Sequence, residues 1–213
     1  MLKAILFDFD DTIGNRREYT YQTYAHLLDT YHPMEDSFER ECILQDCMIW
    51  DMRGNFKKDF VIEQLKAKYD LEFPIASFSK WWIENQPRFS FAFTGAEEVL
   101  ALLKQKYQLV LVTNGNDQSQ RLKVKNAHLE KYFDVIVTSG QVGKKKPDAT
   151  IYKRALEECG ILPEEALFVG DTFSTDLIGA YRLGIEAIWI TPYDYPCSID
   201  IKQIRHIREL LEL

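Results

Sequence analysis

Three carboxylates crowd into the stretch FDFDDT, residues 7–12, where Asp8, Asp10 and Asp11 stand directly behind the apolar run Ala4, Ile5, Leu6, Phe7. Like charges at the end of a buried strand repel one another and cost free energy to hold together. The cost is tolerable where something positive sits among them. Two more acidic residues, Asp171 and Asp176, follow the apolar run that ends at Gly170, and Thr113 with Asn114 closes another. A cation is on offer in the loop SGQVGKKKPD, which carries Lys144, Lys145 and Lys146 ahead of Pro147. Carboxylates, a hydroxyl and an ammonium group gathered at one point can attack, protonate and charge-stabilise a reacting centre.

Such residues meet only if a sheet brings strand ends together. From residue 95 onward, short Val- and Ile-rich runs alternate with segments of helical period, the pattern of βαβ units and a parallel sheet. The runs are Leu109 to Thr113, Asp134 to Thr138, Ala166 to Gly170 and Ala187 to Thr191, which with the opening strand predict five strands. Helices are expected at roughly 95–106, 117–127, 148–159 and 174–183, with Gly160 and Gly184 suited to left-handed C-terminal positions. In open parallel sheets ligands bind beyond the carboxyl ends of the strands, and every residue singled out above lies there or in the loop that follows.

Residues 15 to about 92 read differently. Tyr21, Tyr24, Leu28 and Tyr31 mark one helix face; Phe60, Val61, Leu65 and Tyr69 a second; Phe78, Trp81 and Trp82 a third. Phe38, Cys42 and Ile49 fit a further helix less cleanly. Four helices are enough for a small bundle with its own core. The fold class expected is therefore α/β, a Rossmann-like doubly wound parallel sheet formed by residues 1–14 and 93–213, with an inserted helical domain at 15–92.

Bulk properties narrow the function classes. A formal charge of −7 over 213 residues disfavours tight binding to a nucleic-acid polymer, which relies on clustered Lys and Arg, but leaves small anionic substrates open. No apolar run approaches a membrane span, and the N-terminal apolar segment meets Asp8 too early for a signal-peptide core, so a cytoplasmic protein is expected. Cys42, Cys47, Cys159 and Cys197 are scattered and read as reduced structural thiols, and His26, His32, His128 and His206 are equally dispersed. Oligomeric state is not legible.

Taken in order, Asp8-x-Asp10-x-Thr12, Thr113, Lys146-Pro147 and Gly170-Asp171-x4-Asp176 resemble the four motifs of the haloacid dehalogenase-like hydrolases. The resemblance covers the whole chain, because the helical insertion falls where one large subfamily carries its helical cap. It implies a phosphatase that acts on a small-molecule phosphate ester. Asp8 is then the nucleophile that forms an aspartyl-phosphate, and Asp10, two residues on, protonates the leaving alcohol and later deprotonates water. Thr113, Asn114 and Lys146 bind the phosphoryl group, Lys146 also facing the nucleophile, while Lys144 and Lys145 are solvated loop charges. By the same resemblance Mg²⁺ is held by Asp8, Asp171 and the main-chain oxygen of Asp10, with Asp176 orienting a bound water. Thr12 fixes the turn through side-chain to backbone bonding, and Asp11 has no chemical role.

A charge count agrees with the need for a metal. Asp8, Asp10, Asp171 and Asp176 ionised against Lys146 alone sum to −3, which would repel a dianionic phosphate. One Mg²⁺ brings the sum to −1, and a proton on Asp10 brings it to 0. Singly, Asp and Thr after strands also serve as turn formers and helix N-caps, which is enough to explain Thr172 or Asp148. Turn chemistry does not ask for a lysine opposite four carboxylates.

Three other readings use similar residues. A dehalogenase needs neither metal nor a proton for its halide, so Asp10 and Asp171 would be idle. A phosphomutase would hand the phosphoryl group to a second hydroxyl in place of water. A signalling receiver module also forms an aspartyl-phosphate, but needs no acid two residues away and no helical lid. For substrate choice, Arg53 in the loop WDMRGNF is the residue best suited to an anionic or hydroxyl-rich substrate, and Gly14-Asn15 with Pro87 to Thr94 would be the connections about which a lid moves. Of the 28 aromatic residues, 16 lie between Tyr19 and Phe93, and Trp81 and Trp82 cannot both point into a bundle core. A ring left facing the cleft would favour a nucleotidase over a sugar-phosphate phosphatase.

Overall fold

The computed structural model describes residues 1–197 and 199–212. Six parallel strands form one sheet: β1 (Ala4–Phe7), β2 (Gln108–Thr113), β3 (Val135–Thr138), β4 (Ala166–Gly170), β5 (Glu186–Ile190) and β6 (Lys202–Ile204), in the order β3-β2-β1-β4-β5-β6. The strand order reverses beside β1, between the β2 and β4 halves, which is where open sheets of this kind leave a crevice at their carboxyl ends. Register brings the tips level: Phe7 is opposite both Leu111 and Val169, and Asp8 N–H donates to the Val169 carbonyl at 3.0 Å.

The strands are apolar runs because both faces are covered. Ile5, Phe7, Leu109, Leu111, Leu167 and Val169 point to one core, with α5 (Ala96–Leu103) and Val124 of α6 (Asp117–Asn126). Ala4, Leu6, Val110, Val112 and Phe168 point to the other, with α8 (Ala149–Cys159) and the single turn α9 (Ile178–Tyr181). Short polar side chains start these helices. Asn116 Oδ1 accepts from Ser119 N–H at 3.0 Å for α6, Thr138 Oγ1 from Gln141 N–H at 3.2 Å for the four-residue α7 (Ser139–Val142), and Asp148 from Thr150 N–H at 2.9 Å for α8. Gly160 closes α8 with a left-handed φ of 64°.

Around the sheet, two elements depart from the sequence expectation. β6 is a sixth strand, hidden because three residues with an exposed lysine make no apolar run. The helix expected at 174–183 is a π-helical turn, Phe173–Leu177, followed by α9. Gly179 there lacks a Cβ that would lie 2.3 Å from the Tyr152 hydroxyl, so α8 packs close.

The chain divides into two compact units, Met1–Asn15 with Phe91–Leu213, and Arg16–Ser90. The second contains α1 (Arg16–Tyr31), α2 (Ser37–Asp51), α3 (Lys58–Tyr69) and α4 (Phe78–Asn85) around Tyr24, Leu27, Leu28, Ile43, Leu44, Cys47, Val61, Leu65, Phe78 and Trp82. α2 is rotated from the expected face. Phe38, Cys42 and Ile49 are exposed, and Ile43, Leu44, Cys47 and Asp51 are inside. The buried stripe ends on a carboxylate, Asp51, paired with Arg16 at 2.7 Å and with Lys58, so an apolar pattern could not reveal it. Trp82 is buried, while Trp81 stacks on Phe78 at 5.4 Å and on His26 at 6.1 Å within the same unit. Among the described residues no helix is long and apolar enough to cross a membrane.

Candidate active site

Asp8 leaves the end of β1 and is buried. Its Oδ1 accepts from Lys146 Nζ at 2.5 Å, and the same ammonium lies 2.8 Å from Asp176 Oδ1. Lys146 is buried, whereas Lys144 and Lys145 are exposed, so of the three lysines it is Lys146 that meets the carboxylates. Its backbone is bracketed by Asn114: Lys146 N–H donates to Asn114 Oδ1 at 2.8 Å, and Asn114 Nδ2 donates to the Lys146 carbonyl at 3.2 Å. Asn114, expected to hold phosphate, thus bonds the Lys146 backbone through both polar atoms of its side chain. The Lys146-Pro147 peptide bond is cis.

Burial holds the Asp8 carboxyl well above the usual carboxylate range; Lys146 opposes this, while Asp176, Asp171 and Asp10 add to it. For Lys146, burial pulls the other way, but Asp176 and Asp8 outweigh it and hold the ammonium above the ordinary lysine range. Asp176 is presented by the π-helical turn. Its Oδ2 accepts from Thr172 N–H at 3.0 Å, and the Tyr152 hydroxyl donates to the carbonyls of Thr175 at 2.5 Å and Asp176 at 3.1 Å. A Cβ on Gly170 would lie 2.6 Å from the Asp176 side chain, so glycine there permits the approach.

Asp171 follows β4. Its carboxylate accepts from Thr172 Oγ1 at 3.1 Å and, at 3.5 Å, from Thr12 Oγ1, while its carbonyl accepts from Trp189 Nε1 at 2.7 Å. Thr12 therefore reaches across to another strand end in addition to sitting in its own turn. Asp11 has a left-handed φ of 62° and donates its N–H to the Gly14 carbonyl, a backbone role. Oxygens of Asp8, Asp171 and Asp176 lie within 4.8 Å of one another. An oxygen-only set of this kind suits a hard divalent cation.

The Thr113 hydroxyl is buried at the end of β2 and has no hydrogen-bond partner among the described residues. Arg53 lies exposed in the helical unit with a φ of 55°.

Asp10 takes a different direction from its neighbours. Its carboxylate faces α6, where Lys123 Nζ lies 3.1 Å and 2.9 Å from its two oxygens and Gln120 Nε2 donates to Oδ2 at 3.2 Å. It is not part of the Asp8, Asp171, Asp176 trio. Sequence reasoning missed Lys123 and Gln120. In DQSQRLKVKN several polar side chains compete, and the only signal is that Gln120 and Lys123 share a helix face at a three-residue spacing. With Lys123 counted, four carboxylates stand against two ammonium groups, and the site sum is −2 in place of −3.

A sequence profile described as haloacid dehalogenase-like hydrolase matches residues 5–190. The chain belongs to the haloacid dehalogenase-like hydrolases. This hydrolase is 26% identical over 196 residues to the glyceraldehyde 3-phosphate phosphatase of Pyrococcus abyssi, covering 89% of this chain and 81% of that one. It is 27% identical over 206 residues to the N-acylneuraminate-9-phosphatase of Mus musculus, covering 89% and 82%. Among solved structures, the HAD-hydrolase YfnB of Bacillus subtilis, described as bound to magnesium, has the same fold with a TM-score of 0.79 at 23% identity, covering 99% of this chain and 97% of that one.

Proposed function

We propose that this hydrolase is a Mg²⁺-dependent phosphatase that cleaves a small-molecule phosphate monoester through an aspartyl-phosphate on Asp8. The observation that carries the reading is the buried Lys146 ammonium between Asp8 and Asp176, beside a buried Thr113 hydroxyl with no partner of its own. Asp8 Oδ attacks phosphorus in line as the bond to the ester oxygen breaks, and Asp10 gives that oxygen its proton. Water then attacks the phosphoryl group and gives its proton to Asp10, which releases inorganic phosphate and restores both carboxyls. Lys146 and Thr113 stabilise charge on the transferring oxygens, and Asn114 acts through Lys146. Asp8, Asp171 and the main-chain oxygen of Asp10 would hold the metal, with Asp176 holding Lys146 and orienting a water. When bound, the metal supplies the positive charge that lets a dianionic ester approach.

For the substrate, the relatives described above are named for glyceraldehyde 3-phosphate and an acylneuraminate 9-phosphate, neither of which carries an aromatic base. Of the Trp81 and Trp82 pair, one ring of which favoured a nucleotidase, Trp82 is buried and Trp81 stacks on Phe78 and His26. Sugar- or polyol-type phosphates are the favoured class, with or without a base attached, since another relative, 29% identical, is named for a phosphoribitylamino uracil. Asp8→Asn is expected to lower turnover of p-nitrophenyl phosphate more than about a hundredfold, about 3 kcal/mol of barrier. Retained turnover would exclude the covalent role. Release of stoichiometric inorganic phosphate from a panel of monoesters separates a phosphatase from a mutase, and repeated turnover separates it from a receiver.

A further inference from the structure

Asp10 is held by a clamp built into one face of α6. Gly115 has no Cβ, and one there would lie 2.4 Å from Gln120 Nε2. The space lets the Gln120 amide lie against the strand end, where Nε2 donates both to the Asn114 carbonyl at 3.0 Å and to Asp10 Oδ2 at 3.2 Å. Three residues on, Lys123 places its ammonium 2.9 Å and 3.1 Å from the two Asp10 oxygens. Lys123 and Gln120 are both nearly fully buried.

Neither residue is explained by packing. A part-buried ion pair such as Lys123–Asp10 is in general no more stabilising than apolar side chains of the same volume. Gln120 Oε1 is buried with no hydrogen-bond partner among the described residues, a cost that a leucine would remove. What the pair provides is three donor contacts that fix where both oxygens of one carboxylate point.

We propose that Lys123 and Gln120 are positioning residues for proton transfer, fixing the orientation of the Asp10 carboxyl from the α6 side. The proposal rests on the reading of Asp10 as general acid. Proton donation limits the reaction only where the leaving group is a poor one, so the clamp matters for alkyl esters and little for p-nitrophenyl phosphate. A lysine that bound the phosphoryl group instead would raise KM on both alike.

The test measures kcat and KM on p-nitrophenyl phosphate and on an alkyl phosphate such as glycerol 1-phosphate for wild type, Asp10→Asn, Lys123→Met, Lys123→Arg and Gln120→Leu. Lys123→Met is expected to lose at least about tenfold more kcat on the alkyl ester than on p-nitrophenyl phosphate, with KM little changed. Lys123→Arg should recover most of that loss, and Gln120→Leu should show the same split in milder form and keep its thermal midpoint. If Lys123→Met does not fold, Gln120→Leu carries the test. Equal losses on both esters, or losses confined to KM, overturn the clamp when Asp10→Asn itself shows the split. A missing split in Asp10→Asn overturns the general-acid reading first and the clamp with it.

Discussion

The Thr113 hydroxyl stands buried with nothing to bond to among the described residues, in a protein where such groups are normally satisfied. A donor left in that state costs folding free energy, and on the proposed mechanism it is met when a phosphoryl oxygen arrives. Thr113→Val keeps the shape and removes the hydroxyl, so chemical denaturation should find it as stable as wild type or more so, by up to about 1 kcal/mol. Its kcat/KM should fall by about tenfold or more, as for other lost oxyanion donors. The same residue was legible in the sequence because it ends an apolar run, as do Asp8 and Asp171. Lys123 was not. A lysine in mid-helix declares its partner only once the crossing of α6 over the strand ends is known, and sequence spacing holds no record of that crossing.

At the level of elements, the turn that carries Asp176 depends on one side chain of its neighbour. Burial holds the Tyr152 phenol above its ordinary pKa, so it remains a donor to the Thr175 and Asp176 carbonyls. Tyr152→Phe leaves those carbonyls without that donor, which should cost about 1–3 kcal/mol of stability and lower kcat with little change in KM. In the helical unit, the buried Asp51 binds Arg16 and Lys58. Burial raises its carboxyl, but the two cations more than reverse this, and its pKa is lowered. The stabilisation is therefore present above the ordinary aspartate pKa of about 3.9 and is lost as pH falls through the lower folded value. Asp51→Ala should cost about 3–5 kcal/mol, since it removes the carboxylate facing the buried Arg16 and the half-buried Lys58. An acid titration of helical circular dichroism should show a step near and below that pH in wild type and a weaker one in Asp51→Asn. This carboxylate is also why the α2 face was misread: hydrophobic periodicity counts an aspartate as outward-facing, and here the ion pair takes it in.

Across the whole molecule, the doubly wound sheet was readable because two-sided burial makes each central strand an unbroken apolar run. β6 lies at the sheet edge, where a three-residue strand leaves no such mark. If the carboxylates at the ends of the central strands hold Mg²⁺ as proposed, they link metal binding to folding. Mg²⁺ at a hundred times its dissociation constant should raise stability by about 2.7 kcal/mol, read as a rise in thermal midpoint that EDTA reverses. Asp171→Asn should abolish most of that rise.

Asn15 N–H donates to the Phe91 carbonyl, Phe93 N–H donates to the Ile13 carbonyl, and Gly14 bridges to Ala92. The chain therefore departs from the sheet and returns to it through a single paired seam. Closing a loop grows more costly only with the logarithm of its length, so the seam sets almost no limit on what it carries. In evolutionary terms it is a socket. An insert of another length, joined through the same few backbone bonds, would leave the strand ends of the sheet unit unchanged.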